Sequence, residues 1–349
     1  MRRPPWSASW RPKSAASPPP PPSIPRGAGL PSNGAPPARA GVRRGTTLHD
    51  IPFVDAHVHF WELGRISYPW LTPPFSDDGP NGSVAPIARD FGLDDYLALA
   101  RNWTVAGLVH VDAGAEAAQA LDETDWLQAT ADARRMPDAI VAFAALDDPQ
   151  VDGLLAAHAA RRNVRGIRHI VNWHPDPRFT YTPRDVTRDE AWARGFALLG
   201  RYGLSFDLQA YPGQFAGLAR LIERHPETPV VINHAGMGVD RDRDGVAEWR
   251  SGMKALAALP NVAVKLSGLG FVWRPYDAAE ARARVRETID IFGAGRALAA
   301  SDCPTDLLFA DFDTTLGAIA DAIGDYSEGE RRAIWGRNAS RIYRLGLDI

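Results

Sequence analysis

The chain has 349 residues, 45% of them apolar, which is enough for one large barrel or two smaller domains. Its formal charge of -3 gives no reason to expect nucleic acid or an anionic membrane as a partner. The single cysteine, Cys303, excludes an internal disulfide and points to a reducing, cytoplasmic setting; no apolar run is long enough to span a bilayer.

Residues 1–48 differ in kind from the rest. Five prolines run from Pro18 to Pro22, with Ser, Ala, Gly and Arg around them and no apolar periodicity. Such a segment cannot bury enough surface to offset its ordering entropy, so a disordered Pro-rich extension is expected there. It also lacks the apolar core of a secretory signal.

From residue 49 to 349 short apolar runs alternate with helix-like stretches. Ile51–Val54 reads as the first strand, and it runs into Asp55-Ala56-His57-Val58-His59. Side chains in a strand alternate, so Asp55, His57 and His59 are expected on one face. A long loop rich in Pro, Gly and aromatics spans residues 61–90. A helix over 93–102 follows, then a strand over 105–111 ending at His110 and Asp112. A helix over 115–136 leads to a third strand, 140–146. After a helix over 151–162 comes the fourth strand, 164–171. It carries Arg168 and His169 and opens into a loop with Trp173 and His174.

The second half repeats the pattern. A helix over 190–202 precedes a strand over 204–208, which ends at Asp207 and Gln209. A helix over 215–225 leads to strand 230–232 and Asn233-His234-Ala235-Gly236. A helix over 246–259 leads to strand 262–266, with Lys265 inside it and Ser267-Gly268 after it. A helix over 279–292 leads to strand 297–300 and Ser301-Asp302-Cys303-Pro304. Two further helices close the chain.

Eight strands, each followed by a helix, is the count of a (β/α)8 TIM barrel, an α/β fold. A doubly wound sheet is the alternative, but no Gly-rich phosphate turn follows an early strand. In a barrel the carboxyl ends of all strands meet at one face. His57, His59, His110, Arg168, His169, His234 and Asp302 would then collect at one mouth, and packing gives no reason for core strands to end that way.

The motifs Asp55-Ala56-His57-Val58-His59 and Ser301-Asp302-Cys303-Pro304 resemble those of the amidohydrolase superfamily. Gly166-Ile167-Arg168-His169, the following His-Pro-Asp-Pro, Phe206-Asp207-Leu208-Gln209, Asn233-His234-Ala235-Gly236 and Val264-Lys265-Leu266-Ser267-Gly268 are similar to its amidohydrolase-related branch. That branch contains sugar lactonases and muconolactone- or pyrone-type lactonases, and the likeness covers residues 50 to 349. The resemblance implies a catalytic set of Asp302, His234 and Arg168. Asp302 takes the proton from the attacking water, and His234 stands near the reacting carbonyl. His57, His59 and Asp302 match metal donors. His169, His110, Trp173 and His174 fall where substrate is engaged.

One feature departs from the family pattern. Strand five ends in Asp207-Leu208-Gln209 where many metal-dependent members have histidine, and Arg168 beside the site would repel a dication. The reading therefore leaves two cofactor states open: one divalent metal, zinc, or none. The expected partner is a small-molecule substrate, with a homo-oligomer open. The expected activity is hydrolysis of a lactone by base-activated water, since a lactone needs only a base and oxyanion donors. No Gly-x-Ser-x-Gly elbow offers a serine nucleophile. The rivals are a metal-dependent decarboxylase on the same barrel and a non-catalytic small-molecule-binding barrel.

The bland readings differ by residue. Asp302 could cap a helix, and His110 could be a packing residue. His174 could be plain surface, and Lys265 a core lysine paired with a carboxylate.

Overall fold

The computed structural model describes residues 48–349, and the expected disordered extension lies outside the described residues. Eight strands form one parallel sheet in sequence order: β1 Phe53–Val58, β2 Val105–Val111, β3 Ala139–Phe143, β4 Val164–Arg168, β5 Ser205–Leu208, β6 Val230–Ile232, β7 Val262–Leu266 and β8 Ala297–Ala299. The seam between β8 and β1 closes just past the strand ends. Val58 bridges Cys303, the Asp302 N–H donates to the His57 carbonyl at 3.0 Å, and the His59 N–H donates to the Cys303 carbonyl at 2.8 Å. The TIM barrel read from the sequence is the observed fold.

Eleven α-helices follow in chain order among the described residues: α1 Leu93–Leu99, α2 Ala120–Arg134, α3 Val151–Ala159, α4 Glu190–Leu198, α5 Pro212–Ile222, α6 Arg243–Ala257, α7 Leu269–Val272, α8 Ala278–Phe292, α9 Phe312–Ala322, α10 Glu328–Arg332 and α11 Asn338–Ile342. Their ends follow local chemistry. The Asp242 carboxylate accepts the Gly245 N–H and starts α6 one turn earlier than the apolar pattern suggests. Pro212 opens α5, where its missing N–H costs nothing. Arg135, at φ 62°, stops α2. None of the described helices is long and apolar enough to cross a membrane.

Strand periodicity sorts the core into two clusters. Val54, Ala56, Val109, Val111, Ala139, Val141, Val231, Ala263, Leu298 and Ala300 fill the barrel interior, with Ala339 and Tyr343 of the C-terminal segment packed against them. Residues one position away, such as Phe53, Leu108, Ile140, Ile167, Phe206 and Val264, face outward and pack with Trp192, Phe196, Trp249 and Trp335. This parity decides which polar residues can reach the barrel axis.

Two expectations fail on it. Val109 and Val111 point inward, so His110 between them points outward. Ile167 points outward, so Arg168 points inward and His169 outward again. Two adjacent strand residues cannot share a face. The expected common face of Asp55, His57 and His59 is the second failure. The motif lies within β1 and at its end rather than after it, and a bulge interrupts it. Asp55 pairs with Leu108 and Val58 with His110, so β1 advances three residues while β2 advances two. The extra residue leaves Asp55 on the outer face and turns His57 and His59 inward.

Candidate active site

The inward-facing strand ends build the site. His57 Nε2 and His59 Nε2 lie 3.2 Å apart. Asp302 Oδ1 is 3.5 Å from the first and 3.3 Å from the second. His234 Nδ1 lies 3.9 Å from Asp302 Oδ2 and 3.1 Å from Ser267 Oγ, and its ring centroid is 4.7 Å from that of His57. All four side chains are buried. His234 and Asp302 have φ values of 53° and 57°, a left-handed conformation that non-glycine residues rarely hold without support.

Asp55 supplies part of that support from the outer face. Its carboxylate accepts the His57 N–H at 3.2 Å, the Ser301 N–H at 2.9 Å and the Tyr96 hydroxyl at 2.9 Å, tying the bulge of β1 to the end of β8 and to α1. Burial pushes Asp55 up to about 6, against the pull of these donors. Gly268 supplies another part. It sits at φ 66°, and a Cβ there would lie 2.6 Å from His234 Cβ.

Electrostatics keep the imidazoles neutral. Burial lowers His57 and His234 well below the usual histidine range and lowers His59 to about 3, with Arg168 or Lys265 adding to each. His59 Nδ1 donates to the Val111 carbonyl at 2.8 Å, which leaves a lone pair on Nε2 facing Asp302. Asp302 is raised to about 8 by burial; Arg168 and Lys265 oppose this and Asp55 adds to it. Its Oδ2 is buried and has no hydrogen-bond partner among the described residues.

A metal ion fits these donors. Two ligands held at about 2.0–2.1 Å in tetrahedral geometry stand roughly 3.3–3.4 Å apart. The His57–His59, His59–Asp302 and His57–Asp302 separations of 3.2, 3.3 and 3.5 Å span that value. One donor atom each from His57, His234 and Asp302 also fall within 4.8 Å of one another. The charge of Arg168, expected to repel a dication, is matched by Asp112, whose Oδ2 accepts from Arg168 Nε at 2.5 Å.

The site opens into a cavity of about 230 Å³. His59, Arg168, Gln209, His234 and Asp302 form its polar side; Trp70, Ala113, Ile170, Tyr181 and Phe271 form its walls. Tyr181 donates its hydroxyl to Asn81 Oδ1 at 2.8 Å, joining the loop after β4 to the loop after β1. Trp70 of the loop after β1 and Tyr181 of the loop after β4 thus both wall the cavity.

Four of the residues expected to engage substrate do not line this cavity. His110, behind the site, accepts the Phe60 N–H at 2.9 Å and stands edge-on to His59 with ring centroids 6.3 Å apart. His169 Nδ1 faces the Leu146 N–H and the Trp192 Nε1–H, each at 3.2 Å. Trp173 and His174 line a separate cavity, where His174 Nε2 is 3.1 Å from Asp240. Lys265 is the core lysine its position suggests, 2.5 Å from Asp207 Oδ1. The sequence reading gave no role to Asp112, Gln209, Asn81, Phe271 or Thr305. For Gln209 a signal existed, since it stands just past the end of β5 with inward parity; Asp112 follows the inward-facing Val111, so the alternation did not point to it. Asn81, Phe271 and Thr305 come from loops, where no period marks orientation.

Comparison with known proteins agrees with this geometry. The amidohydrolase family profile matches residues 54–345. The uncharacterized protein y4mH of Sinorhizobium fredii is 37% identical over 299 residues, covering 85% of this chain and 100% of that protein. An L-fucono-1,5-lactonase of Burkholderia multivorans is 29% identical over 303 residues, covering 84% of this chain and 96% of that one. The crystal structure of an amidohydrolase from Burkholderia multivorans with bound zinc superposes with a TM-score of 0.69 at 28% identity, covering 84% of this chain and 99% of that one. With a profile match running from β1 to the segment after α11, the chain belongs to the amidohydrolase family.

Proposed function

We propose that this chain is a hydrolase that opens a lactone, of the sugar-acid or the muconolactone and pyrone type, by attack of a base-activated water. The observation that carries the reading is Asp302: a buried carboxyl with one oxygen that has no hydrogen-bond partner among the described residues, at the mouth of the barrel, among His57, His59, His234 and Arg168. The relative named as an L-fucono-1,5-lactonase and the zinc-bound neighbour support it.

In this reading Asp302 accepts the proton of the attacking water, and burial gives it the basicity to do so. Charge develops on the carbonyl oxygen, and His234 and Arg168 face the cavity as groups to meet it. The proton held by Asp302 then passes to the departing ring oxygen, so the open hydroxy acid leaves and the carboxylate is restored. The apolar walls limit the water that can compete with these contacts. A divalent cation, zinc by its donor set, would be held by His57, His59 and Asp302 with His234 within reach, and would supply Lewis acidity to the carbonyl.

The test is acid release from a panel of sugar-acid and muconate-type lactones, followed by a pH indicator with and without chelator, beside metal analysis of the purified chain. Ring opening that depends on Asp302 supports the reading. Carbon dioxide release from aromatic acids, with no lactone opened, replaces it with the decarboxylase.

A further inference from the structure

Arg168 is bound on three sides before any substrate arrives. Its Nε donates to Asp112 Oδ2 at 2.5 Å, its Nη2 donates to the Asp112 backbone carbonyl, and its Nη1 donates to Gln209 Oε1 at 3.0 Å. The pair is closed off from water, with Asp112 2% and Arg168 4% exposed. A second carboxyl, Glu123 of α2, stands behind it and accepts the Ala113 N–H at 3.2 Å. Burial and the neighbouring Asp112 push Glu123 up to about 8, toward its uncharged form. The positive charge that Arg168 brings to the cavity is already matched by the Asp112 carboxylate in direct contact with it.

No other Lys or Arg lines this cavity among the described residues. Two more arginines, Arg241 and Arg274, belong to an adjoining cavity that shares only Tyr181 and Phe271 with the first. Arg241 is paired with Glu280, and Arg274 donates to the Pro80 carbonyl. A carboxylate attached to a lactone ring in the first cavity would lose its water against Trp70, Ile170 and Phe271 and find no unmatched Lys or Arg side chain there in return. Burying an unpaired charge costs far more than burying hydroxyls that find partners. Gln209, Asn81 and Thr305 are partners of the second kind.

We propose that Asp112 is a specificity-determining residue. By neutralising Arg168 it suits the cavity to an uncharged lactone ring, such as that of a neutral sugar lactone, and sets it against rings that carry a carboxylate. The guanidinium still offers its planar donors to ring and hydroxyl oxygens, but not a free charge. This rests on the lactone-opening reading and divides its two substrate types.

The experiment compares kcat/KM on a panel of neutral aldonolactones with kcat/KM on ring-carboxylated lactones, in the wild-type chain and two variants. The wild type is expected to favour the neutral panel by about 100-fold. Asp112→Asn frees the charge of Arg168 and should shift that ratio toward the carboxylated panel by about tenfold or more. Gln209→Glu adds a second negative charge on the other side of the guanidinium and should shift the ratio the opposite way. Because the ratio is read, a general loss of activity in either variant cancels, and circular dichroism reports whether each is folded. A wild type that opens carboxylated rings as well as neutral ones overturns the proposal and leaves the lactone reading standing. An unchanged ratio in the folded variants also overturns it, since a merely structural Asp112 would lower both panels together. If Asp112→Asn does not fold, Gln209→Glu alone decides. Acid release from neither panel defeats the lactone reading and this inference with it.

Discussion

The floor of the site holds a buried ion pair whose removal has a calculable cost. Lys265 Nζ lies 2.5 Å from Asp207 Oδ1, and both side chains are fully buried. At an effective dielectric near 20, that separation corresponds to about 6–7 kcal/mol of gross attraction. In Lys265→Met, Asp207 keeps the Tyr343 hydroxyl at 2.9 Å and the Asn233 amide at 3.0 Å, which offset part of the loss. Release of the lysine from its desolvated site offsets more, since burial already lowers its pKa. The net cost should be about 3–5 kcal/mol, the usual range for orphaning one partner of a buried pair. The double variant Lys265→Met/Asp207→Asn removes both charges and should recover most of that, ending within about 1–2 kcal/mol of the wild type. Urea unfolding of the four proteins of the cycle measures both quantities. Lys265 Nζ is also 3.5 Å from His57 Nδ1, so the single variant should lower kcat as well. A single variant as stable as the wild type, or a double variant as unstable as the summed singles, refutes the electrostatic account of this floor.

Three more outcomes follow from the geometry. Asp302→Asn should cut kcat by about 10²–10⁴ while circular dichroism stays unchanged, and a normal rate removes Asp302 as the base. Gly268→Ala would drive a Cβ to within 2.6 Å of His234 Cβ at φ 66°, so it should cost about 1–3 kcal/mol by thermal unfolding and lower kcat/KM by displacing His234. Glu123→Gln concerns pH. Glu123 titrates near 8 when folded and near its usual value of 4.5 when unfolded. Between those values the folded state holds a proton that the unfolded state has released, so its contribution to stability is full below about 4.5 and is lost as pH rises toward 8. The variant should therefore gain on the wild type between pH 5 and pH 8, by at most about 4–5 kcal/mol, and parallel stability–pH curves would contradict this.

The barrel was legible because a strand buried on both faces leaves an apolar run, and eight such runs alternate with helical stretches. The core of the site was legible for a related reason: an inward polar residue at the end of an apolar strand has no packing role. That logic found His57, His59, Arg168, His234 and Asp302. It went astray where position along the strand was read without parity. His110 and His169 each stand one residue from an inward neighbour, so the alternation already assigned them to the outer layer. The bulge in β1 could not be read at all, because it is set by pairing with β2 and shows only as a mismatch between Asp55–Leu108 and Val58–His110. The loop residues Asn81, Phe271 and Thr305 carry no periodic signal, and their orientation depends on contacts between loops far apart in the chain.

The charges around the cavity show why one side chain is singled out. Arg168 is matched by Asp112 and Lys265 by Asp207. Asp55 is held by three donors on the outer face. Asp306, one turn beyond Asp302, is pushed well above the usual carboxylate value by burial and by Asp302. Burial disfavours the charged form of the three imidazoles that face the axis. Asp302 is then the group at the mouth whose charge state the rest of the site leaves undecided. Burial favours its protonated form, while Arg168 and Lys265 favour the carboxylate. A cation beside His57 and His59 would tip it further toward the carboxylate. A base that must take a proton from water and return it to a departing oxygen needs both states within reach, and this arrangement of matched neighbours keeps them there.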